Sequence, residues 1–430
     1  MKIVKSCVLF ALGLNVSLSG LANDAGKADA PAADKKICAC GGNDTTGKCK
    51  AEKKDLLPVL KKQIIVPPTA ASKRSGEGSA VLLKNDEILL VYSRFTSGGA
   101  DHDAAELFGG ILDLSTGEIR DGRIFFKDPS ALNQMSVSLE RLRDGDIGML
   151  FIRKSAPEED DIFFSRSSDE GKSWTNPVKV NLPCKEKYMV VNADRLRQFS
   201  SGRIAVPAAI NGNENETPSL GLFYSDDEGK SWHLSDRVRA LEKNIALPHL
   251  LREQDRQHWN DACKYEQRLQ EPGVEELSDG RILLYCRTTL GYMYQAYSSD
   301  NGKPWSELKP APEIVSPASP QSIRRIPRSK RLLCVFNDRR GVSFANSAEN
   351  WNWRTPMTLA VSNDNAATWR ILGNLEDDSH NYCYTSILFF KDKILLTYYE
   401  SENTLKDGKP VRRNLASLKM LIMDKDQIKP

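Results

Sequence analysis

Short stretches in which apolar and polar residues alternate recur along the chain from about residue 79 to its end. In the clearest cases, an Asp-Gly or Ser-Gly turn joins two such stretches. A period of two with turn residues in between is typical of β-hairpins. We predict six hairpins, which pair Ser79–Leu83 with Ile88–Tyr92, Val137–Arg141 with Ile147–Ile152, Arg195–Phe199 with Arg203–Val206, Val274–Leu277 with Ile282–Cys286, Ser322–Ile326 with Leu332–Phe336, and Thr385–Phe389 with Ile394–Tyr398.

An eight-residue motif, Ser-Ser-Asp-Glu-Gly-Lys-Ser-Trp in its first copy, occurs four times at intervals of roughly 60–70 residues. The copies begin at Ser167, Ser225, Ser298 and Ser362, and the fourth has Ala366 in place of the glycine. The Asp can accept hydrogen bonds from the backbone of a tight turn, the Gly suits a positive φ, and the Trp can pack beneath the turn. The motif therefore predicts a structural element and not chemistry.

Six hairpin units with recurring turns predict an all-β fold, a six-bladed β-propeller over residues 57–430. The last unit needs a strand beyond residues 413–423, and we expect Gln63–Val66 to supply it and close the ring. Helical patterns are rare, and residues 239–257 are the best candidate, as an excursion from a loop.

The first 56 residues differ from the rest in composition. Residues 1–22 have two lysines, a short apolar run and small residues at the end, which is typical of a signal peptide and predicts export to the periplasm or outside the cell. Residues 23–56 have almost no large apolar side chains, so we expect a disordered tether. For Cys38, Cys40 and Cys49 we expect one local disulfide and a leftover thiol in preference to a metal knuckle.

Charge and motif content narrow the classes of partner. The formal net charge of +3 falls close to zero once the two lysines of the signal segment are removed, and basic residues form no stripe. This gives no case for binding nucleic acid, and no later segment is apolar enough for membrane insertion. There is no Gly-rich phosphate loop and no histidine spacing typical of metal ligands, so we expect neither a cofactor nor a metal. The oligomeric state stays open.

In a propeller, the first residues of the innermost strands line the central channel. At those positions this chain has polar and ionisable side chains, as in a site that binds or processes a polar ligand. They are Glu77, Ser136, Asp194 with Arg195, Glu271, Ser319 with Gln321, and Tyr384. We take Glu77, Asp194 and Arg195 as candidates for binding substrate.

The repeated motif is similar to the Asp box of sialidases, and the resemblance covers roughly residues 75–400. It implies a propeller of sialidase type. As an expectation, it also implies an exo-acting glycosidase that releases a terminal acidic sugar, sialic acid or a relative, from a glycan. Asp boxes also occur in propellers that are not sialidases, so the function has to be argued from the channel.

The resemblance assigns roles to four residues of the last three blades. Glu271 and Arg287 resemble the family's glutamate and one arginine of its carboxylate-binding triad, and Arg354 resembles a second triad arginine. Tyr384 resembles the tyrosine nucleophile, with Glu271 as its base. A neutral phenol is a poor nucleophile until a neighbouring base takes its proton.

The family pattern places the general acid in the first-blade loop. Asp101 and Asp103 are both candidates there, and Asp103 is favoured because it precedes two alanines. His102 could transfer the proton instead or contact the substrate, and Arg94 just before the loop could bind the substrate.

The first blade departs from the family. Sialidases open this blade with Arg-Ile-Pro, whereas the aligned segment here is Gly76–Val81, with Glu77 about where the arginine belongs. A carboxylate there would repel an acidic substrate. Lys73, Arg74 or Arg94 could take the arginine's place.

Three functions are therefore open. The first is a glycosidase of sialidase type. The second is a propeller lyase or another glycosidase that acts on uronate-containing polysaccharide, with Tyr384 or His102 moving the proton in a lyase step. The third is a carbohydrate-binding propeller without chemistry.

Overall fold

The computed structural model describes residues 55–186, 188–211, 219–239, 269–288, 291–340, 353–406, 409–412 and 415–429. The predicted signal peptide, nearly all of the predicted tether with its three cysteines, and nearly all of the candidate helix at 239–257 lie outside these residues. The four described cysteines, Cys184, Cys286, Cys334 and Cys383, form no disulfide.

The described strands form six antiparallel sheets, which we call blades 1 to 6 in chain order. The first strand, β1 (Lys61–Val66), belongs to blade 6. Blade 1 contains β2 (Arg74–Leu82), β3 (Ile88–Phe95), β4 (Ala105–Leu112) and β5 (Ile119–Phe126). Blade 2 contains β6 (Asn133–Arg141), β7 (Ile147–Ala156), β8 (Glu159–Ser167) and β9 (Val178–Lys179). Blade 3 contains β10 (Tyr188–Val190), β11 (Arg197–Gln198), β12 (Ile204–Asn211), β13 (Ser219–Ser225), β14 (His233–Leu234) and β15 (Val238–Arg239).

The remaining three blades complete the ring. Blade 4 contains β16 (Gln270–Glu276), β17 (Ile282–Arg287), β18 (Tyr292–Ser298) and β19 (Lys309–Val315). Blade 5 contains β20 (Ser322–Arg325), β21 (Leu332–Asn337), β22 (Met357–Ser362) and β23 (Arg370–Glu376). Blade 6 contains β24 (His380–Phe390), β25 (Lys393–Lys406), β26 (Lys409–Arg412) and β27 (Ser417–Asp424), and a single 3₁₀ turn, Lys425–Ile428, follows it.

The first strands of the blades lie side by side around the axis. Strand β2 contacts β6 on one side and β24 on the other, and β20 contacts both β16 and β24. This arrangement confirms the six-bladed β-propeller, and all six predicted hairpins are present as neighbouring antiparallel strands.

The ring closes by pairing the two ends of the described chain. Strand β1 pairs antiparallel with β27, with Lys61 opposite Ile422 and Gln63 opposite Met420. The expectation that Gln63–Val66 completes the last blade is therefore confirmed. Closure removes an unpaired sheet edge.

Apolar side chains fill the spaces between neighbouring blades. Leu150 and Ile162 of blade 2, for example, pack in one cluster with Val206 and Phe223 of blade 3, and all four are at most 1% exposed. Burying side chains of this size contributes about 1.5–3 kcal/mol each. The packing between blades holds the inner strands in a fixed ring.

The Asp boxes have the structure that their sequence predicts. In each of blades 2 to 5 the box begins at the last residue of the third strand, for example at Ser167 of β8. Asp169 accepts hydrogen bonds from the backbone and hydroxyl groups of Ser173. Gly171 has a φ of +81°, and the Trp174 indole donates to its carbonyl over 3.2 Å.

Candidate active site

Four inner strands and the turn before β11 place one residue each in the left-handed region of φ around the central channel. They are Glu77, Ser136, Asp194, Glu271 and Tyr384, with φ between +48° and +58°. In blades 1, 2, 4 and 6 the strand register breaks at this point, as in a β-bulge. A left-handed conformation costs a residue other than Gly about 1–2 kcal/mol. Such strain at equivalent positions is typical of functional sites, because a bulge re-aims a side chain.

Tyr384 of blade 6 and Glu271 of blade 4, which are 113 residues apart in sequence, meet at one mouth of this channel. The Tyr384 hydroxyl donates a hydrogen bond of 2.8 Å to Oε1 of Glu271, and Arg287 donates one of 2.6 Å to Oε2. Burial raises the pKa of Tyr384, and the neighbouring Glu271 raises it further. Burial also opposes the charge on Glu271, but Arg287 and Arg354 outweigh it and hold the pKa of Glu271 below its ordinary value.

Arg354 lies beneath this pair. Its guanidinium carbon is 5.1 Å from the centre of the Tyr384 ring, and Nη1 donates to Sγ of Cys383. Arg354 is only 4% exposed, and its Nε has no hydrogen-bond partner among the described residues. Arg287 and Arg354 therefore retain N–H groups to offer a ligand.

Arg74 is the third arginine of the site. Its Nε donates to the hydroxyl of Tyr399 over 2.8 Å, Nη2 donates to Glu77 over 2.7 Å, and Nη1 donates to Asp101. Glu77 also accepts a bond of 2.6 Å from Ser136. The expectation that Glu77 stands where an arginine belongs thus has a structural answer. Arg74, one of the residues that could take the arginine's place, lines the cavity, and Glu77 binds it.

The acid candidates of the first-blade loop occupy different places. Asp101 lines the cavity beside Arg74, whereas the Asp103 carboxylate accepts a bond of 2.7 Å from the backbone N–H of Ala100 and stabilises the loop itself. Partial burial raises the pKa of Asp101, but the charge of Arg74 outweighs it and holds that pKa below its ordinary value. His102 also lines the cavity.

A cavity of about 580 Å³ joins these groups. Its polar wall brings together most of the predicted site residues, namely Glu77, Asp101, His102, Glu271, Arg287, Arg354 and Tyr384, with Arg74. On the side of blades 2 and 3 it is lined by Met135, Ile152, Lys154, Asp160, Tyr188, Met189 and Asn192, among others.

Three predicted binding residues do not line this cavity. Arg94 pairs with Glu106 and stacks on the Phe108 ring at 3.7 Å. Asp194 is 1% exposed and accepts a 2.6 Å bond from Arg324. Arg195 is fully buried and donates to the carbonyl of Gln321. Arg94 thus joins two strands of blade 1, whereas Asp194 and Arg195 connect blade 3 to blade 5.

Sequence reasoning missed Lys154, Asp160 and Asn192, which line the cavity. Lys154 and Asp160 occupy facing positions on the β7–β8 hairpin, so the alternation of that hairpin places them on the same face. A charged pair inside a buried strand pattern was the available signal. The Tyr399 ring packs directly against Gly76, where a Cβ would lie 2.1 Å from the ring.

The comparisons with known proteins agree with the fold. Residues 141–396, more than half of the chain, match the model of the BNR repeat-like domain. The chain therefore belongs to this family, within the superfamily of sialidases and BNR-repeat proteins.

Two curated relatives are named for activities on sialic acid. A sialidase of Bacteroides fragilis is 23% identical over 251 residues, which cover 56% of this chain and 39% of that protein. An anhydrosialidase of Macrobdella decora is 25% identical over 146 residues, which cover 34% of this chain and 16% of that protein. The chain spans less than two fifths of the length of the curated relatives it matches.

Solved structures show the same fold. A protein of unknown function from Dyadobacter fermentans superposes with a TM-score of 0.63 at 17% identity, over 86% of this chain and 99% of that one. The sialidase of Trypanosoma rangeli superposes with a TM-score of 0.63 at 14% identity, over 87% of this chain and 60% of that one. At these identities the likeness concerns the fold alone.

Two further findings concern the described residues. They contain no group of three or more His, Cys, Asp or Glu side chains that could hold a metal ion. They also contain no helix with the length and apolar content needed to cross a bilayer.

Proposed function

We propose that this protein is an exo-acting glycoside hydrolase of sialidase type that releases a terminal sialic acid, or a related acidic sugar, from glycans. One observation carries the proposal: the Tyr384 hydroxyl bonds to the Glu271 carboxylate in a cavity that also exposes three arginines. The names of the relatives and the signal-peptide prediction agree with a glycan substrate outside the cytoplasm.

Tyr384 is the proposed nucleophile. Because burial raises the pKa of Tyr384, the phenol is neutral and needs a base, and Glu271 is kept ionised by Arg287 and Arg354. In the first step the Tyr384 oxygen attacks the anomeric carbon while its proton passes to Glu271. The bond to the leaving oxygen breaks, and Asp101 protonates that oxygen. In the second step water attacks the same carbon, Asp101 accepts its proton, and Tyr384 recovers its own.

The arginines are the proposed holders of the substrate carboxylate. Arg287 and Arg354 have N–H groups available, and a planar guanidinium suits a carboxylate. Arg74 is paired with both Glu77 and Asp101. An arriving carboxylate therefore competes with Asp101 for Arg74.

This competition would give Asp101 its proton at the right time. While Arg74 holds Asp101, the pKa of this carboxyl group lies below its ordinary value, which disfavours the acid form. A substrate carboxylate on Arg74 neutralises that charge, so the pKa of Asp101 rises in the complex. A general acid works best when its pKa is close to the working pH.

The test is hydrolysis of a fluorogenic α-sialoside by the purified protein, with Tyr384→Phe as the control. We expect turnover by the wild type and a loss on the order of 10³-fold or more in the variant, at an unchanged melting temperature. A folded wild type that binds sialic acid without turnover would contradict the proposal and favour a binding propeller. An unsaturated product from a uronate-containing glycan would contradict it in favour of a lyase.

A further inference from the structure

Glu77 is an acid of the cavity to which the proposed hydrolysis gives no task. It accepts a hydrogen bond of 2.7 Å from Arg74 Nη2, while Arg74 Nη1 binds Asp101. Both acids line the cavity, and among the described residues Arg74 is the only basic side chain that forms an ion pair with either of them. One guanidinium therefore faces two carboxylates before any substrate arrives.

A strained backbone aims Glu77 into the cavity. Its φ is +49°, and the register of β2 with β3 breaks between Gly76 and Ser79. The side chain is only 2% exposed, and its second oxygen accepts a hydrogen bond of 2.6 Å from Ser136. A residue that keeps a left-handed conformation at such a place is typical of a functional site.

The N–H groups of Arg74 show where a substrate carboxylate binds relative to Glu77. Arg74 Nε donates to Tyr399, and Nη1 donates to the Gly99 carbonyl and to Asp101. Among the described residues, Nη2 donates only to Glu77, although it carries two hydrogens. A carboxylate that displaces Asp101 and binds both Nη1 and Nη2, the usual two-point geometry, therefore lies next to the carboxyl group of Glu77.

The surroundings of Glu77 make its protonation easier. Burial raises the pKa of Glu77, Arg74 and the Ser136 hydrogen bond offset this only in part, and Asp101 and Glu271 raise it further. The pKa of Asp101, by contrast, lies below its ordinary value. The titratable and charged groups that face Glu77 are Arg74 on β2, Asp101 on the first-blade loop, Glu271 on β16 and Tyr399 on β25.

A substrate carboxylate beside Glu77 adds a further negative charge to this region. Two carboxylates side by side in a partly dehydrated cavity repel each other, and the repulsion favours a proton on one of them. Once protonated, Glu77 no longer repels the substrate and has an O–H group to donate. Of the two acids bound to Arg74, Glu77 has the pKa that favours this form.

We propose that Glu77 binds the substrate carboxylate as the neutral acid, with its O–H donating to one carboxylate oxygen while Arg74 binds the same carboxylate group. Where Glu77 is ionised in the free protein, each binding event takes up one proton from solvent, and this proton goes to the Glu77 carboxylate. Glu77 is then a specificity determinant for acidic sugars and not an obstacle to them. The inference rests on the proposed function.

The affinity for an acidic sugar should depend on pH in one direction. Binding is tightest below the pKa of Glu77 in the free protein, because the proton is already present there. Above that pKa, the dissociation constant of sialic acid should rise by up to about 10-fold per pH unit, since each bound ligand then requires a proton from solvent.

The test is isothermal titration calorimetry of sialic acid into the purified protein, from about pH 5 to about pH 9, in buffers that differ in ionisation enthalpy. The difference in heat between buffers counts the protons taken up per ligand. At its maximum, the count for the wild type should exceed that for Glu77→Gln by about one proton, because the amide does not titrate. The comparison isolates Glu77 from any proton taken up by Asp101.

Glu77→Gln should also bind better than the wild type at high pH. Its amide N–H can donate to the ligand carboxylate as the neutral acid does, but it carries no charge at any pH. At the upper end of the series, we expect its dissociation constant to be about 10-fold lower than that of the wild type.

Glu106→Gln is the matched control. Glu106 is a buried glutamate of the same blade that pairs with an arginine, Arg94, and with Lys127, and it is not among the residues that line the cavity. This variant should keep the proton count and the pH dependence of the wild type.

The outcomes separate the two proposals. If the wild type binds sialic acid without proton uptake at every pH of the series, the role of Glu77 is wrong, and hydrolysis of the sialoside still supports the proposed function. An equal count in Glu77→Gln and the wild type would also overturn it, as would an equal loss of affinity at every pH, since Glu77 would then only hold Arg74. If a folded wild type neither binds sialic acid nor hydrolyses the sialoside, the proposed function fails and the inference fails with it.

Discussion

Two sets of left-handed residues in this propeller differ in their side chains. Near the axis, the first set has one residue in each of five blades, and these residues are Glu77, Ser136, Asp194, Glu271 and Tyr384. In each Asp box, two consecutive residues adopt the left-handed conformation. An acid or amide comes first, and Gly or, in one box, Ala366 follows. The Asp-box pairs repeat from blade to blade, whereas the inner residues differ.

The difference indicates that the Asp-box residues have a structural task, whereas most of the inner residues belong to the candidate site. Each Asp box also contacts the blade before it. Arg166 of blade 2 and Arg203 of blade 3, for instance, donate to box carbonyls of the next blade, over 3.1 and 3.2 Å. At the junction of blades 4 and 5 the box carbonyl of Ala366 accepts from Gln295 and Tyr297, so the box backbone has the same task at each of these three junctions. Of the inner residues, Glu77, Ser136, Glu271 and Tyr384 line one cavity from different sides with different side chains, whereas Asp194 is buried against Arg324.

The sharpest test of this comparison is Glu271→Gln. The amide can still accept the Tyr384 hydrogen bond but cannot take its proton, so kcat should fall by about 10²–10⁴-fold with the fold retained. Steady-state kinetics on a sialoside measure it. Ser136→Ala, the same bulge in blade 2, is the control and should lose less than about 10-fold, since no proton transfer is proposed there. A similar loss of kcat in both variants would contradict a special role for Glu271 among the inner residues.

Asp101→Asn and Asp103→Asn test the two acids of the loop. Asp101→Asn should lower kcat/KM by about 10²-fold on a glycan leaving group and much less on an activated aryl leaving group, which departs without a proton. Asp103→Asn should keep activity on both, because this carboxylate stabilises the loop. A loss with Asp103→Asn that depends on the leaving group would assign the acid to Asp103 instead.

In the Asp-box set, Gly229→Ala should destabilise the protein by about 2 kcal/mol or more, because it combines backbone strain with overpacking. Gly229 has a φ of +87°, and a Cβ there would lie 2.2 Å from the Phe164 ring. Gly202→Ala is the matched control. Its φ is +93° with no atom within 4 Å of the new Cβ, so the cost should be about 1 kcal/mol from the backbone alone. Urea unfolding measures the loss of stability in both variants. Equal losses would show that the Phe164 side chain moves aside at no cost in free energy.

The smallest expected effect is that of Asp169→Asn. Hydrogen bonds from Ser173, first its hydroxyl and then its N–H, lower the pKa of Asp169 to about 2 in the folded protein. The carboxylate therefore stabilises the fold fully above the unfolded pKa of about 4, and this contribution is lost as the pH falls towards 2. The wild type should exceed the variant by about 1 kcal/mol at pH 7, with the gap closing near pH 2.5 and kcat unchanged. Melting curves at the two pH values check it, and a gap that widens in acid would contradict the assignment.

The sequence predicted the fold well because its signals are local. Alternating strands, Asp-Gly turns and the Asp boxes each depend on a few neighbouring residues, so all six hairpins and the closing segment could be found without tertiary information. Glu271, Arg287, Arg354 and Tyr384 were placed together for a related reason: they stand at fixed positions relative to those strands.

The first-blade residues were harder to place. A bulge between Gly76 and Ser79 alters which side chains face the axis, so strand position alone does not show whether Glu77 or Arg74 is the counterpart of the family's arginine. The small neighbours of Asp103 favour it as the acid on sequence, yet its carboxylate is held by the loop backbone. Lys154 and Asp160 face each other across one hairpin of blade 2, but only the assembled ring places them in the same cavity as Glu271 and Tyr384. Such choices depend on contacts between blades, which no local pattern encodes.

The pairing of β1 with β27 also bears on how the protein is made. Because the last blade takes strands from both ends of the described chain, no ribosome-bound intermediate lacking residues 417–424 can complete the ring. Arg74 and Tyr399, which are 325 residues apart in sequence, then come into contact across the seam between blades 1 and 6. The proposed site would thus be completed only after residues 417–424 have been made and paired with β1.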